Sequence, residues 1–335
     1  MARRLGSPAT LAHVLVSRPF AIGSPDTLEE RLGNTADLLA LAERLDDPVL
    51  RCRSHGGRFR ALVEKGEIEQ AELELDRYIE LSEEVGQPTL RWMAGLAKVA
   101  RHVLHCRLAE AEREADAILE LGLASGQPDA RLFWTLHQFP IHLDRGRMAE
   151  IEDLMLEFRA ALPNLPAWDG LLALMYSEMG RDGDVRRLLA LMKAAGSDFH
   201  LDTTWLFGMA GFAGACAVVE DRDAAAVLLE RLAPYGSLLA TSAWGLTLGS
   251  VVHSTAMLAA VLGRFDEADA DFRAAEAIHQ RIGAPAWLAR TRLERARALL
   301  RRGAPEDRRS ATDLLELAVA AAVELALPVV ERRGR

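Results

Sequence analysis

Apolar residues recur along this chain with the spacing of one helical face. Ala268, Phe272 and Ala275 stand at i, i+4 and i+7, as do Ala71, Leu75 and Tyr78, and again Ala111, Ala115 and Ile118. That spacing keeps three side chains on one side of an α-helix, and the small residue opening each stripe lets the preceding helix approach closely. A glycine comes just before five such helices: Gly66 in Lys65-Gly66-Glu67, with Gly146, Gly180, Gly263 and Gly303 at the same phase. Glycine ends helices because it tolerates the left-handed conformation. Cys106 and Glu220 fall at the same phase without that freedom, so their turns need another solution.

A second mark separates one helix pair from the next. Leu5-Gly6-Ser7-Pro8, Leu45-Asp46-Asp47-Pro48, Val85-Gly86-Gln87-Pro88 and Ser125-Gly126-Gln127-Pro128 put successive prolines 40 residues apart. The phrase returns as Leu165-Pro166, Ile282-Gly283-Ala284-Pro285 and Leu327-Pro328. A fixed period of this size marks stacked supersecondary units, which form long binding surfaces more often than catalytic pockets. The pattern predicts about eight stacked antiparallel helix pairs in one domain over 1–335, near 8–46, 48–86, 88–126, 128–163, 166–196, 198–235, 241–283 and 285–328. Pro140 should kink the first helix of the fourth pair. With three tyrosines and few β-branched runs, a sheet has little support.

The segment from Gly263 through Phe265, Ala268 and Phe272 to Ala275 resembles the tetratricopeptide repeat. The likeness extends over nearly the whole chain, although the unit here runs 40 residues where that repeat has about 34. The resemblance implies a right-handed α-solenoid whose first helices line a concave face. Long arrays with such phrases also resemble the helical C-terminal regions of bacterial STAND-type signalling ATPases, transcription regulators and cyclases. The Arg-rich composition, with lysine only at 65, 98 and 193, suits a high-GC bacterium. Ala2-Arg3-Arg4-Leu5-Gly6 reads as the tail of a second helix, and neither end has an obvious polar cap. The expectation is therefore a piece of a longer protein, or an array that associates through its ends.

Half the residues are apolar and the net charge is −9, which argues against a general nucleic-acid binder. Cys52, Cys106 and Cys216 are odd in number and far apart, and Pro8 follows Arg3 and Arg4 with no apolar core of a secretory signal. A reducing cytoplasm fits. Between Arg231 and Arg264 no charged side chain occurs, a length that spans a bilayer. Pro234, Gly236, Gly245 and Gly249 interrupt it, so close helix packing inside the array is the better reading, with no membrane contact.

Candidate chemistry is sparse. No lysine follows a Gly-rich run in phosphate-loop form and no nucleophile elbow occurs, so no catalytic activity or cofactor is expected. His102, His105 and Cys106 form the tightest group of metal-type ligands, with His137 and His142 in the next pair. Their spacing matches no strong zinc pattern, and packing accounts for them. Trp92, Trp134, Trp168, Trp205, Trp244 and Trp287 recur once in each of pairs three to eight, as packing between repeats explains. First helices carry Arg53, Arg60, Arg91 and Arg101 while second helices are acidic. Given the resemblance, Arg53, Arg60, Arg91, Arg101 and His102 would make a basic strip on the concave face. Trp205 and Trp244 would continue it as an apolar surface for an acidic peptide or a neighbouring ATPase or output domain. Pairing between adjacent helices accounts for the same charges equally well. The reading is a non-catalytic protein-interaction or regulatory scaffold. Its alternatives are an enzyme built on His102, His105 and His137, and a purely structural self-association module.

Overall fold

The proline phrases are helix junctions. Pro48, Pro88, Pro285 and Pro328 each open a helix, and the residue two before each takes a left-handed conformation: Asp46 (φ 49°), Gly86 (69°), Gly283 (62°) and Ala326 (54°). Proline suits the first helical position because its missing N–H has no intrahelical partner there. The computed structural model describes residues 7–162, 165, 167–195 and 201–335, with 19 and 20 described for their backbone alone. The segment 2–6 and Pro166 lie outside the described residues.

Among the described residues the chain is all-α apart from one hairpin, and consecutive helices pack as neighbouring pairs. These are α1 (Pro8–Ala21) with α2 (Leu28–Arg44), α3 (Pro48–Lys65) with α4 (Ile68–Val85), and α5 (Pro88–Leu104) with α6 (Leu108–Ala124). The middle of the chain gives α7 (Ala130–Arg145) with α8 (Glu152–Ala161), α9 (Ala167–Glu178) with α10 (Asp182–Ala195), and α11 (Trp205–Val219) with α12 (Arg222–Leu232). Then come α13 (Val251–Val261) with α14 (Phe265–Arg281), α15 (Pro285–Arg302) with α16 (Asp307–Glu324), and a last helix, α17 (Pro328–Gly334). Helix α7 continues through Pro140. Among the described residues no helix is long and apolar enough to cross a membrane.

The turns inside the pairs solve the Cys106 and Glu220 problem directly. Both residues adopt the left-handed region, at φ 55° and 52°. The Cys106 turn makes the same two closing bonds as the Gly66 turn: Arg107 N–H to His102 O at 2.8 Å, and Cys106 N–H to Val103 O at 3.0 Å. A side chain in that conformation costs on the order of 1 kcal/mol.

The stripes form the seam between helices. Ala268, Phe272 and Ala275 are all buried, while Ala270 is exposed. Ala268→Trp is therefore expected to lower stability by about 3 kcal/mol through overpacking, and Ala270→Trp to leave it within about 0.5 kcal/mol. Denaturant titration of the two variants checks this; equal midpoints would mean that the seam lies elsewhere.

The seventh pair departs from the expected pattern. The chain there does not enter a helix at 241; it forms an antiparallel hairpin, β1 (Leu239–Thr241) and β2 (Thr247–Ser250), and becomes helical only at Val251. Gly245 (φ 84°) and Gly249 (φ 82°) supply the left-handed backbone this path needs, and the Ser250 Oγ accepts from His253 N–H at 3.3 Å to cap α13. Both strands are wholly buried.

The hairpin is buried because the array bends back on itself. Leu239 joins the apolar cluster of α3 and α4, and Phe59 lies against the backbone at Gly245. Polar contacts close the same seam. Arg281 donates to the Gly66 carbonyl at 2.9 Å, His105 Nδ1 to the Gly283 carbonyl at 2.8 Å, and Tyr235 Oη to Asp26 at 2.8 Å. On the far side Arg290 donates to Asp144 at 2.9 Å. The second to fourth pairs thus meet the seventh and eighth, and the hairpin fills the interior between them.

Candidate functional site

First helices face the interior. In its N-terminal half that interior holds the hairpin. Trp244 is buried there, edge-on to Phe133 with ring centroids 5.4 Å apart, and the Arg60 guanidinium lies 5.1 Å from the indole centroid. Arg60 and Trp244, singled out from the sequence, do meet, but as parts of one intramolecular contact. The arrangement is that of a cation on the negative face of an indole. Trp205 is buried at the start of α11 with its ring edge against Tyr235, 5.5 Å between centroids. A partner reaches either tryptophan only if this packing opens.

The remaining basic residues lie on α3 and α5. Arg53 is exposed. Arg91 pairs with Glu83 at 2.9 Å, and Arg101 with Glu72 at 3.2 Å and Asp76 at 2.7 Å. Lys98 with Glu114, and Arg58 with Glu74, repeat the scheme of a first-helix cation on a second-helix carboxylate, both at 2.8 Å. Pairing between adjacent helices thus accounts for much of the charge segregation, and such half-exposed pairs contribute little stability each.

The histidines are dispersed by function. His105 lies between the Gly283 carbonyl and Glu72, 3.2 Å from Nε2, and that bond to Glu72 raises its pKa. Both partners accept, so the ring satisfies both only as the imidazolium. Burial works to raise the Glu72 pKa, but the His105 bond and the Arg101 charge hold it below its ordinary value. Burial pushes His137 down to about 4. As a neutral ring between the Phe133 and Leu96 carbonyls it donates to only one of them. Burial also lowers the His102 pKa, and its Nδ1 is buried with no hydrogen-bond partner among the described residues. Helix α5 ends at Leu104, so Cys106 sits in the turn rather than on the His102 face, and burial pushes its thiol up to about 12. Among the described residues no three His, Cys, Asp or Glu side chains stand close enough to hold a metal ion.

In its C-terminal half the interior opens into a cavity of about 110 Å³. Its walls come mostly from first helices: Leu174 of α9, Ala210 of α11, Met257 of α13 and Arg290 of α15, with Leu248 of β2 and Val330 of α17. Arg290 is locked to Asp144, both side chains about one-tenth exposed, and lies 5.7 Å from the Trp287 ring. Behind the wall runs a buried neutral chain: Ser250 N–H donates to His279 Nε2 at 2.9 Å, and His279 Nδ1 donates to Thr291 Oγ1, also at 2.9 Å. Thr291 Oγ1 reaches His253 Nδ1 at 3.0 Å. Burial pushes His253 down to about 3, so it stays uncharged beside the cavity.

Nothing local in the sequence signals that Glu178 of α9 neighbours His253 and Ser254 of α13. The two helices belong to separate pairs, and all three residues line the cavity. Arg290 is a cation of α15, and nothing local in the sequence pairs it with Asp144 of α7.

The fold defines a helical-repeat-like all-α protein with a plugged and partly hollow interior. No protein-family model matches the sequence, and no curated protein matches it.

Proposed function

We propose that this chain is a non-catalytic module for protein interaction and regulation. In this reading it is a right-handed tetratricopeptide-like array, and the sensor or partner-binding part of a larger bacterial cytoplasmic signalling or transcription-regulatory protein. One observation carries the reading: the inner face already receives an extended segment, the hairpin, with Trp244 as an aromatic anchor beneath Arg60. A surface that holds a strand of its own chain by such means has the chemistry to hold a peptide from a partner or from a neighbouring ATPase or output domain. Regulation then follows from differential binding, since a partner that prefers one arrangement of the array shifts the population towards it.

The test uses a fluorescent peptide of alternating acidic and aromatic residues, titrated into the full chain at low and at high salt. Binding is expected to weaken as salt rises, and to fall about tenfold or more in the double variant Arg53→Glu, Arg91→Glu, with helix content unchanged by circular dichroism. Equal binding by that variant would leave the charges as a solvated face and remove the reading.

A further inference from the structure

The C-terminal cavity has polar features that helix packing does not require. The Glu178 side chain is only 5% exposed; its carboxylate pairs through Oε1 with Arg333 at 3.3 Å, while Oε2 is buried with no hydrogen-bond partner among the described residues. Ser254, 1% exposed, also has a buried Oγ without a partner among the described residues. Both residues line the cavity. A buried acceptor left unmet costs on the order of 1–3 kcal/mol, and more for a charged group, whereas an ordinary interior void is apolar.

We infer that this cavity binds a small zwitterion, an α-amino acid with an apolar side chain. The charge balance selects the class. Asp144, Glu178, Arg290 and Arg333 form a quartet of two acids and two bases joined by ion pairs at 2.9 and 3.3 Å. Adding a lone cation or a lone anion leaves an uncompensated charge in a poorly solvated place, and a zwitterion does not. An ammonium brings three donors and no acceptor, which is what Glu178 Oε2 and Ser254 Oγ can take. The mouth carries Arg297 and Arg301, with side chains 50% and 39% exposed. Each already pairs with a lining carboxylate, Glu294 and Glu220 respectively, at 3.3 Å, which keeps the balance neutral. The remaining donors of each guanidinium fork suit the ligand's carboxylate. Met257, Phe272 and Leu248 give the apolar wall for the side chain. This site is separate from the α3 and α5 surface that the peptide test addresses, so either can fail alone.

The experiment is calorimetric titration of the full chain with L-leucine, L-methionine and L-phenylalanine, next to N-acetyl-L-leucine, leucinol and glycerol. At least one free amino acid is expected to bind at a single site and raise the melting temperature, with the acetylated and carboxylate-free analogues far weaker. Glu178→Gln should lower that affinity roughly 10- to 100-fold. Because altering the quartet can disturb folding, Ser254→Ala is the second variant, with a loss of about tenfold expected. Absence of binding by all three amino acids would overturn the inference. So would glycerol or N-acetyl-L-leucine binding as tightly as they do, or unchanged affinity in both folded variants.

Discussion

Gly170→Ala is expected to lower stability by about 3 kcal/mol or more, although alanine is the better helix former by about 1 kcal/mol. The reason is the α9–α11 crossing. A Cβ on Gly170 would lie 2.0 Å from the Gly208 carbonyl oxygen; one on Gly208, 2.4 Å from the Ala167 Cα; and one on Gly211, 2.5 Å from the Gly170 oxygen. The obstacles are backbone atoms, which cannot rotate aside as a flexible side chain does. Two helices would have to separate, and buried Trp168, Phe207 and Phe212 with them. Gly183→Ala is the matched control. It lies in α10 and its Cβ would meet nothing within 4 Å, so propensity alone acts and stability should hold or rise. Guanidinium denaturation of both variants gives the comparison. A Gly170→Ala protein as stable as wild type would show that the crossing is looser than described.

The second large effect is expected at Trp244. Trp→Ala in a core costs about 3–5 kcal/mol, and Trp244→Ala should fall near the lower end. Its ring borders an apolar cavity of about 180 Å³ and its Nε1 is buried without a partner among the described residues, so part of its perimeter contributes little. What is lost is the edge-on contact with Phe133, the Arg60 contact and the packing of the hairpin tip. Hydrogen exchange should quicken in α3 and α5 more than in α15 and α16, because the hairpin covers the former. Trp244→Phe should recover part of the loss. Uniform exchange in Trp244→Ala would mean that the hairpin tip does not hold the N-terminal pairs in place.

The helices were legible because their signals are local. The stripe of Ala71, Leu75 and Tyr78 needs only eight residues to declare a buried face, and Pro88 with Gly86 needs three to mark a junction. Cys106 and Glu220 were legible as turn positions, since phase located them, but residue type did not disclose that they would take the glycine conformation. The hairpin was hidden because residues 239–250 are uncharged and mostly small or apolar. That composition suits a packed helix as well as a buried ribbon, and no Asn-Gly or Asp-Gly turn marks its tip. The clusters around Glu178 and Trp244 were out of reach for a different reason. Arg290 and Asp144 are 146 residues apart, and no spacing rule connects them. The sequence allows a basic strip and pairing between adjacent helices equally, and only the packing brings Glu83 to Arg91 and Glu72 and Asp76 to Arg101.

The closing contact between Arg281 and the Gly66 carbonyl joins residues 215 apart in the chain. At a synthesis rate of about 5–20 residues per second, roughly 10 to 40 seconds pass between the emergence of these two partners. Throughout that interval the α3 face around Phe59 has no hairpin to cover it, and the Gly66 carbonyl has only water. An open array would complete each pair as it left the ribosome. This one keeps its early pairs waiting with apolar surface uncovered, so its most aggregation-prone period falls before its seventh pair is made.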